Sequence, residues 1–273
     1  MDTEHSAPDH LFFLHVQKTA GSTFHNILDR QYPNASIFNI YNPITDIPKL
    51  DQLSAEKKKE LRLVKGHFPF GMHEKFDGTS EYITILRDPI ERTVSHFYFV
   101  FEYPEHPLHE EFTKNNYSLL HALNKGSMRN LDNNMVRMIS GENDHAFGTC
   151  NDTMLTKADA NLSKHFPIIG LQENFDLFLS RCSRRYQWKK HLWYTKQKIG
   201  RTRPRVNELD SKTLDAVKSF NQLDLQLFNE WSAKIKEAEQ SEGDRLMNEV
   251  ANFRKKNQRM NRFFGWLPDS LRK

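Results

Sequence analysis

Two cysteines, Cys150 and Cys182, are all that the chain of 273 residues contains. They form no CxxC pair and have no histidine at ligand spacing, which argues against a zinc site or a disulfide framework and leaves room for one bridge. Long apolar runs are missing too. The opening "MDTEHSAPDH" is polar, the apolar run after it is far too short to span a bilayer, and nothing there reads as a signal peptide. The chain as written reads as soluble, as would a domain trimmed from a membrane anchor. Neither sign of charge dominates: 39 Lys and Arg stand against 35 Asp and Glu, a formal +4. That is well short of a protein that coats nucleic acid, and it suits a nucleotide or a polyanionic substrate. No repeat or low-complexity tract is present. The 37% hydrophobic content is enough for a real core, with one large domain as the simplest reading.

Four apolar runs of strand length punctuate the chain: Leu11 to Val16, "LRLVKG" (Leu61 to Gly66), "YITIL" (Tyr82 to Leu86) and "FPIIGL" (Phe166 to Leu171). After the first, Phe24, Ile27 and Leu28 recur at helical spacing, so that segment reads strand, loop, helix. After the third, Asp88 and Pro89 predict an N-cap and first turn, opening a helix through "IERTVSHFYFVF". Strands alternating with helices predict an α/β fold with a central parallel sheet, and a ligand at the carboxyl ends of its strands. Residues from about Glu102 to Asn161 read as mostly helical and polar. The loop "KQKIGRTRPR" (Lys196 to Arg205) is basic and aperiodic, an amphipathic helical stretch follows it, and the hydrophilic break "EQSEGD" separates a domain over 1–240 from a basic amphipathic extension over 241–273.

"HVQKTAGSTF" (His15 to Phe24) is a candidate phosphate loop, although it is not a Walker A motif because Lys18 precedes Gly21. Small residues Ala20, Gly21 and Ser22 let backbone N–H groups approach an anion at a helix N-terminus, and Lys18 with the hydroxyls of Thr19, Ser22 and Thr23 completes a cradle. An ordinary strand-to-helix turn with a solvated lysine fits the same residues. Downstream, "RDPIERTVSHFYF" puts Arg87 at a strand end and Ser95 on the next helix, where a guanidinium fork and a hydroxyl can hold one phosphate.

Together the two motifs resemble sulfotransferases that use 3′-phosphoadenosine 5′-phosphosulfate (PAPS), in the carbohydrate branch that contains the heparan sulfate 2-O- and 6-O-sulfotransferases. The resemblance is clear over residues 11–101, and weaker at "DNNMVRMISG" and "IIGLQENF". It implies a single-domain, P-loop-like (nucleotide-kinase-like) sulfotransferase fold, with PAPS as donor and PAP as product. Lys18 would neutralise charge on the leaving group, Thr19, Ala20, Gly21, Ser22 and Thr23 would hold the 5′-phosphate, and Arg87 and Ser95 the 3′-phosphate. Lys198, Arg201 and Arg203 fall where related enzymes close a cationic lid. No metal is implied, since Lys18, the loop amides and Arg87 meet the leaving charge.

For the acceptor proton, His67 in "KGHFPFGMH" follows a strand end and Gly66, and similar enzymes carry a functional histidine in such a Gly-His stretch. His73 is the runner-up. Asn134 and Arg137 share a helix face at i and i+3, and the resemblance places such a pair near acceptor or cofactor, although a plain surface face fits as well. His15, inside the first strand, reads as a packed polar residue. The tail, with Leu246, Val250, Phe253, Phe263, Phe264 and Trp266 among many basic residues, fits a helix docked on the protein or one in peripheral contact with an anionic membrane. The expected partner is a carbohydrate or glycolipid acceptor. The start of the chain points to a cytoplasmic microbial enzyme, with the Golgi lumenal domain of a trimmed protein as the alternative. A small-molecule kinase and a non-catalytic polyanion binder of the same fold are the rival functions.

Overall fold

The first strand, β1 (His10–Leu14, "HLFFL"), is buried along its whole length, as the middle strand of a parallel sheet must be. The computed structural model describes residues 7–188, 192–195 and 203–264. From β1 the chain continues through α1 (Gly21–Gln31), β2 (Ile37–Ile40), α2 (Pro43–Asp51), α3 (Ala55–Glu60), β3 (Leu63–Gly66) and β4 (Ser80–Leu86). Next come α4 (Pro89–Glu102), α5 (His109–Lys114), α6 (Leu119–Lys125), α7 (Asn134–Ser140), α8 (Asp152–His165) and β5 (Ile168–Leu171). The helices α9 (Phe175–Arg185), α10 (Ser211–Ser219), α11 (Gln222–Ser241) and α12 (Gly243–Phe264) complete the described elements.

The five strands are parallel in the order β2-β3-β1-β4-β5. Alternate residues of β1 face opposite layers. Phe12 and Leu14 join Val64, Tyr82, Leu86 and residues of α7, α8 and α11 in one core. Leu11 and Phe13 join Leu63, Ile83 and Ile85 with Phe24, Ile27 and Leu28 of α1 and Phe178 and Leu179 of α9 in the other. Helices on both faces of a parallel sheet give the expected single α/β domain with its P-loop-like start. The two cysteines are free, so the one bridge the sequence left open is absent.

The connections decide where a ligand sits. From β1 the chain moves to the β2 side, whereas β4 leads on to β5 at the other edge, so the connections diverge between β1 and β4. In open α/β sheets that divergence opens a crevice at the carboxyl ends. The two flanking loops carry the candidate phosphate motifs.

Strand β2 has no counterpart among the expected elements. It is an edge strand of only four residues, IFNI, with three of them partly buried, and so short a run carries little periodic signal. Helix α4 forms as expected: Pro89 occupies its first turn and the Asp88 carboxylate accepts from the Glu91 amide at 2.9 Å. Such a cap contributes about 1 kcal/mol.

Helix α12 lies against α9 through Leu246, Val250 and Leu177, and Phe253 stacks near Tyr194. Asn257 accepts from the Tyr194 amide, and Asn261 bonds both Trp193 Nε1 and the Tyr194 carbonyl. Three apolar residues of the tail are therefore engaged in docking. No described helix is long and apolar enough to cross a membrane.

Candidate active site

Local backbone conformation builds the loop after β1. Lys18 and Ala20 both adopt left-handed conformations, φ 68° and 69°, which is uncommon for residues with a Cβ. Such turns aim successive amides into an anion-binding concavity. The amides of Thr23 and Phe24 return to the Ala20 carbonyl, which leaves Gly21 and Ser22 at the donor end of α1. At Gly21 a Cβ would lie 1.9 Å from His15 Nε2, so the close approach of imidazole and loop requires glycine.

Across the crevice, Arg87 directly follows β4 with its side chain 12% exposed. Its Nη1 donates to the Lys18 carbonyl at 2.9 Å and its Nη2 to Glu91 at 3.1 Å. Arg203 reaches the same Glu91 carboxylate at 3.4 Å, so one acidic side chain gathers two guanidinium groups. Burial, and then the nearby Arg203, holds the Arg87 pKa below its usual value. A further anion beside this pair would relieve that repulsion. The Lys18 ammonium lies 4.1 Å from the centroid of the Phe99 ring, a cation–π contact from α4.

These groups surround one cavity of about 370 Å³. Lys18, Ala20, Gly21, Ser22 and Thr23 line it, together with Arg87, Ser95 and Arg203. His67 also reaches it. Gly66 ends β3 at φ +145°, where a Cβ would clash with the Ile40 carbonyl at 1.9 Å, and His67 follows with its amide on that same carbonyl. His67 Nδ1 bonds the His15 carbonyl at 2.9 Å. A carbonyl only accepts, so neutral His67 carries its proton on Nδ1 and keeps a lone pair on Nε2.

Four expected site residues are placed differently. Thr19 is fully buried and its hydroxyl donates to the Val16 carbonyl at 2.8 Å, so that side chain is turned away from the candidate cradle. Arg137 is fully buried as well; it bonds the Asp132 carboxylate and the carbonyls of Asp132, His145 and Ala146, which fastens the turn after α7 rather than facing a substrate. His73 does not line the cavity and instead bonds the Tyr82 hydroxyl at 3.1 Å, packed beside Phe70 and His165. Asn134 is buried and acts at one remove, donating to Gln17, which does line the cavity. Lys198 and Arg201 lie outside the described residues.

The chain matches the profile of the galactose-3-O-sulfotransferases over residues 3–265. It belongs to the galactose-3-O-sulfotransferase family. The motifs' resemblance to the heparan sulfate enzymes thus points to the right kind of protein, while the matched family is named for galactose. No curated protein matches the chain. Among solved structures it is similar to that of mouse sulfotransferase SULT7A1 complexed with PAP, at 15% identity and a TM-score of 0.40. The alignment covers 78% of this chain and 64% of that one, less than two thirds of its length.

Several residues of the cavity wall escaped the sequence reading. Phe175 and Tyr194 bring aromatic rings to it, 5.1 Å apart at their centroids. The Tyr194 hydroxyl donates to Asp176 at 2.6 Å, and Arg254 of α12 holds the same carboxylate at 2.7 Å. No motif marks them, because this wall combines α9 with the 192–195 segment, and α12 holds Asp176 through Arg254. Glu91 joins Arg87 to Arg203 on one carboxylate, a link between distant segments that sequence spacing does not record.

Proposed function

We propose that the protein is a PAPS-dependent sulfotransferase acting on a carbohydrate hydroxyl. The observation that carries this reading is the Arg87 to Lys18 hydrogen bond, which joins the strand-end arginine and the phosphate loop around one cavity. Lys18 and the amides of Gly21 and Ser22 are suited to the 5′-phosphate, and Arg87, Ser95 and Arg203 to the 3′-phosphate. When bound, PAPS supplies the sulfuryl group: a bond forms from sulfur to the acceptor oxygen while the bond to the 5′-phosphate oxygen breaks, and PAP carries away that electron pair. His67 Nε2 takes the acceptor proton, since its other nitrogen is held by the His15 carbonyl. Lys18 and the loop amides meet the charge that develops on the leaving phosphate, in a site where positioning and electrostatics carry most of the catalysis. A galactose-terminated oligosaccharide is the first acceptor class to try, given the family's name.

Calorimetric titration with PAP against ADP tests the reading. Selective binding of PAP, lost in Arg87→Ala, is the expected result; equal affinity for ADP, or no binding, would sink it.

A further inference from the structure

His15 is read from the sequence as a packed strand residue, yet its ring forms part of the cavity wall. Its ring lies 4.4 Å from that of His67, centroid to centroid. On its other side the Nε2 end abuts Gly21 at the start of α1, close enough that a Cβ there would meet it at 1.9 Å. His15 therefore stands between the group that receives the acceptor proton and the loop that receives the 5′-phosphate, which is where a sulfuryl group in transit must pass. The residue is 6% exposed and lines the cavity, and Nε2 has no hydrogen-bond partner among the described residues.

His25 decides which nitrogen of His15 carries the proton. His25 Nε2 and His15 Nδ1 are 3.1 Å apart, and His25 Nδ1 is buried with no partner among the described residues. If His15 were the donor in this pair, neutral His25 would bear its proton on Nδ1 and bury an orphan N–H. With His25 as donor, only an empty acceptor is buried, and orphan acceptors are the more tolerated of the two. His15 then keeps a lone pair on Nδ1 and presents Nε2–H to the cavity. Burial, followed for His15 by His67 and for His25 by Lys65, pushes both pKa values well down, so both rings are neutral near pH 7.

The geometry points to His15 as a sulfuryl-binding donor: its Nε2–H, fixed in that tautomer by His25, bonds an oxygen of the transferring sulfuryl group between His67 and Gly21. This rests on the PAPS reading above and assigns the site a contact that PAP, lacking the sulfuryl group, cannot make. His25 is the positioning residue.

The test needs no acceptor. Affinities of the full chain for PAPS and for PAP are measured by calorimetry for wild type, His15→Phe, His15→Gln and His25→Phe. A hydrogen bond to a charged group corresponds to a loss of about 10-fold or more when it is removed. His15→Phe should therefore weaken PAPS about 10-fold and leave PAP within about 2-fold, a selective loss that a merely structural role would not produce. His15→Gln, which restores an N–H, should recover most of it, and His25→Phe should show part of the same selective loss. Nitrogen-15 spectra of the wild-type histidines should show the His15 proton on Nε2. Parallel loss of PAPS and PAP affinity, unchanged affinity for both, or a His15 proton on Nδ1 would each overturn the assignment. Failure of wild type to bind either nucleotide would instead remove the functional reading on which it depends.

Discussion

Arg87 donates to the carbonyl of Lys18 across the gap between β4 and the loop after β1, and the 2.9 Å bond ties two segments far apart in sequence around one cavity. The guanidinium has a second role at Glu91, so its fork is aligned before any ligand arrives. Arg87→Ala should therefore reduce PAP affinity by about 100-fold, the scale of a lost charge-assisted pair. Arg87→Lys should recover little, because an ammonium cannot reproduce both bonds. Titration of PAP against each variant checks this, with ADP affinity expected to change much less.

His67→Ala should lower turnover by about 10²- to 10⁴-fold, the usual contribution of a general base. PAP affinity should stay within about 2-fold, because Lys18, Ser22 and Arg87 remain in place. Steady-state rates with PAPS and a galactose-terminated oligosaccharide, beside PAP titration, separate the two effects. Near-normal turnover would remove His67 from the proton transfer.

Gly21→Ala tests the loop's shape rather than its charge. The added Cβ would meet His15 Nε2 at 1.9 Å, so either the imidazole or the start of α1 must move. PAPS affinity should fall at least about 10-fold, an effect that a helix-favouring Ala would not cause at an open N-terminus. Calorimetry measures it, and circular dichroism checks that the fold survives.

Arg137→Met should chiefly destabilise the protein. It would leave Asp132 buried at 1% exposure without its cation, and breaking a buried pair in this way costs about 3–5 kcal/mol. Urea denaturation reads the loss. PAP affinity of the folded variant should match wild type, and a large selective rise in acceptor KM or loss of PAP binding would return Arg137 to the site.

Acidification should weaken the fold. His15, His25 and His96 are buried, and burial first, then neighbouring charges, holds their folded pKa values well below 6.5. Between the folded and unfolded values the unfolded chain binds more protons, so stability is full above about pH 6.5 and falls as pH drops. Each histidine that stays neutral removes roughly 1 kcal/mol between pH 6 and pH 5. Buried Asp224 and Glu239, whose pKa values are raised first by burial, act in the opposite direction where they retain protons that the unfolded chain releases. Urea midpoints at pH 7 and pH 5 should show the decline, and His25→Phe should flatten it by about a third. A midpoint that did not move would mean that these rings are charged in the native state.

Much of the site was legible because its chemistry is local. Lys18 through Thr23 form a contiguous loop, Asp88 and Pro89 cap α4, and Arg87 and Ser95 follow one strand end, so sequence spacing alone brings them to the crevice. The family match agrees with the sulfotransferase reading of these motifs. What local spacing could not give was the direction of each side chain. Thr19 turns to the Val16 carbonyl, and His73 turns away to Tyr82, although both stand beside residues that line the cavity or lead to it.

The sequence by itself determined the alternation of strands and helices, the parallel sheet, the caps and the two phosphate motifs, because burial periodicity and turn chemistry act over a few residues. Tertiary structure alone decided which polar groups face the cavity. Asp224 of α11 accepts from the amides of Met135 and Val136 at the start of α7, and Arg137 on that helix is sealed by the turn that follows. His15 lies between His67 and Gly21 only because β1 pairs with β3 while α1 folds back against it. Burying a polar side chain requires a partner, and here that partner comes from a distant part of the chain, where no local pattern records it.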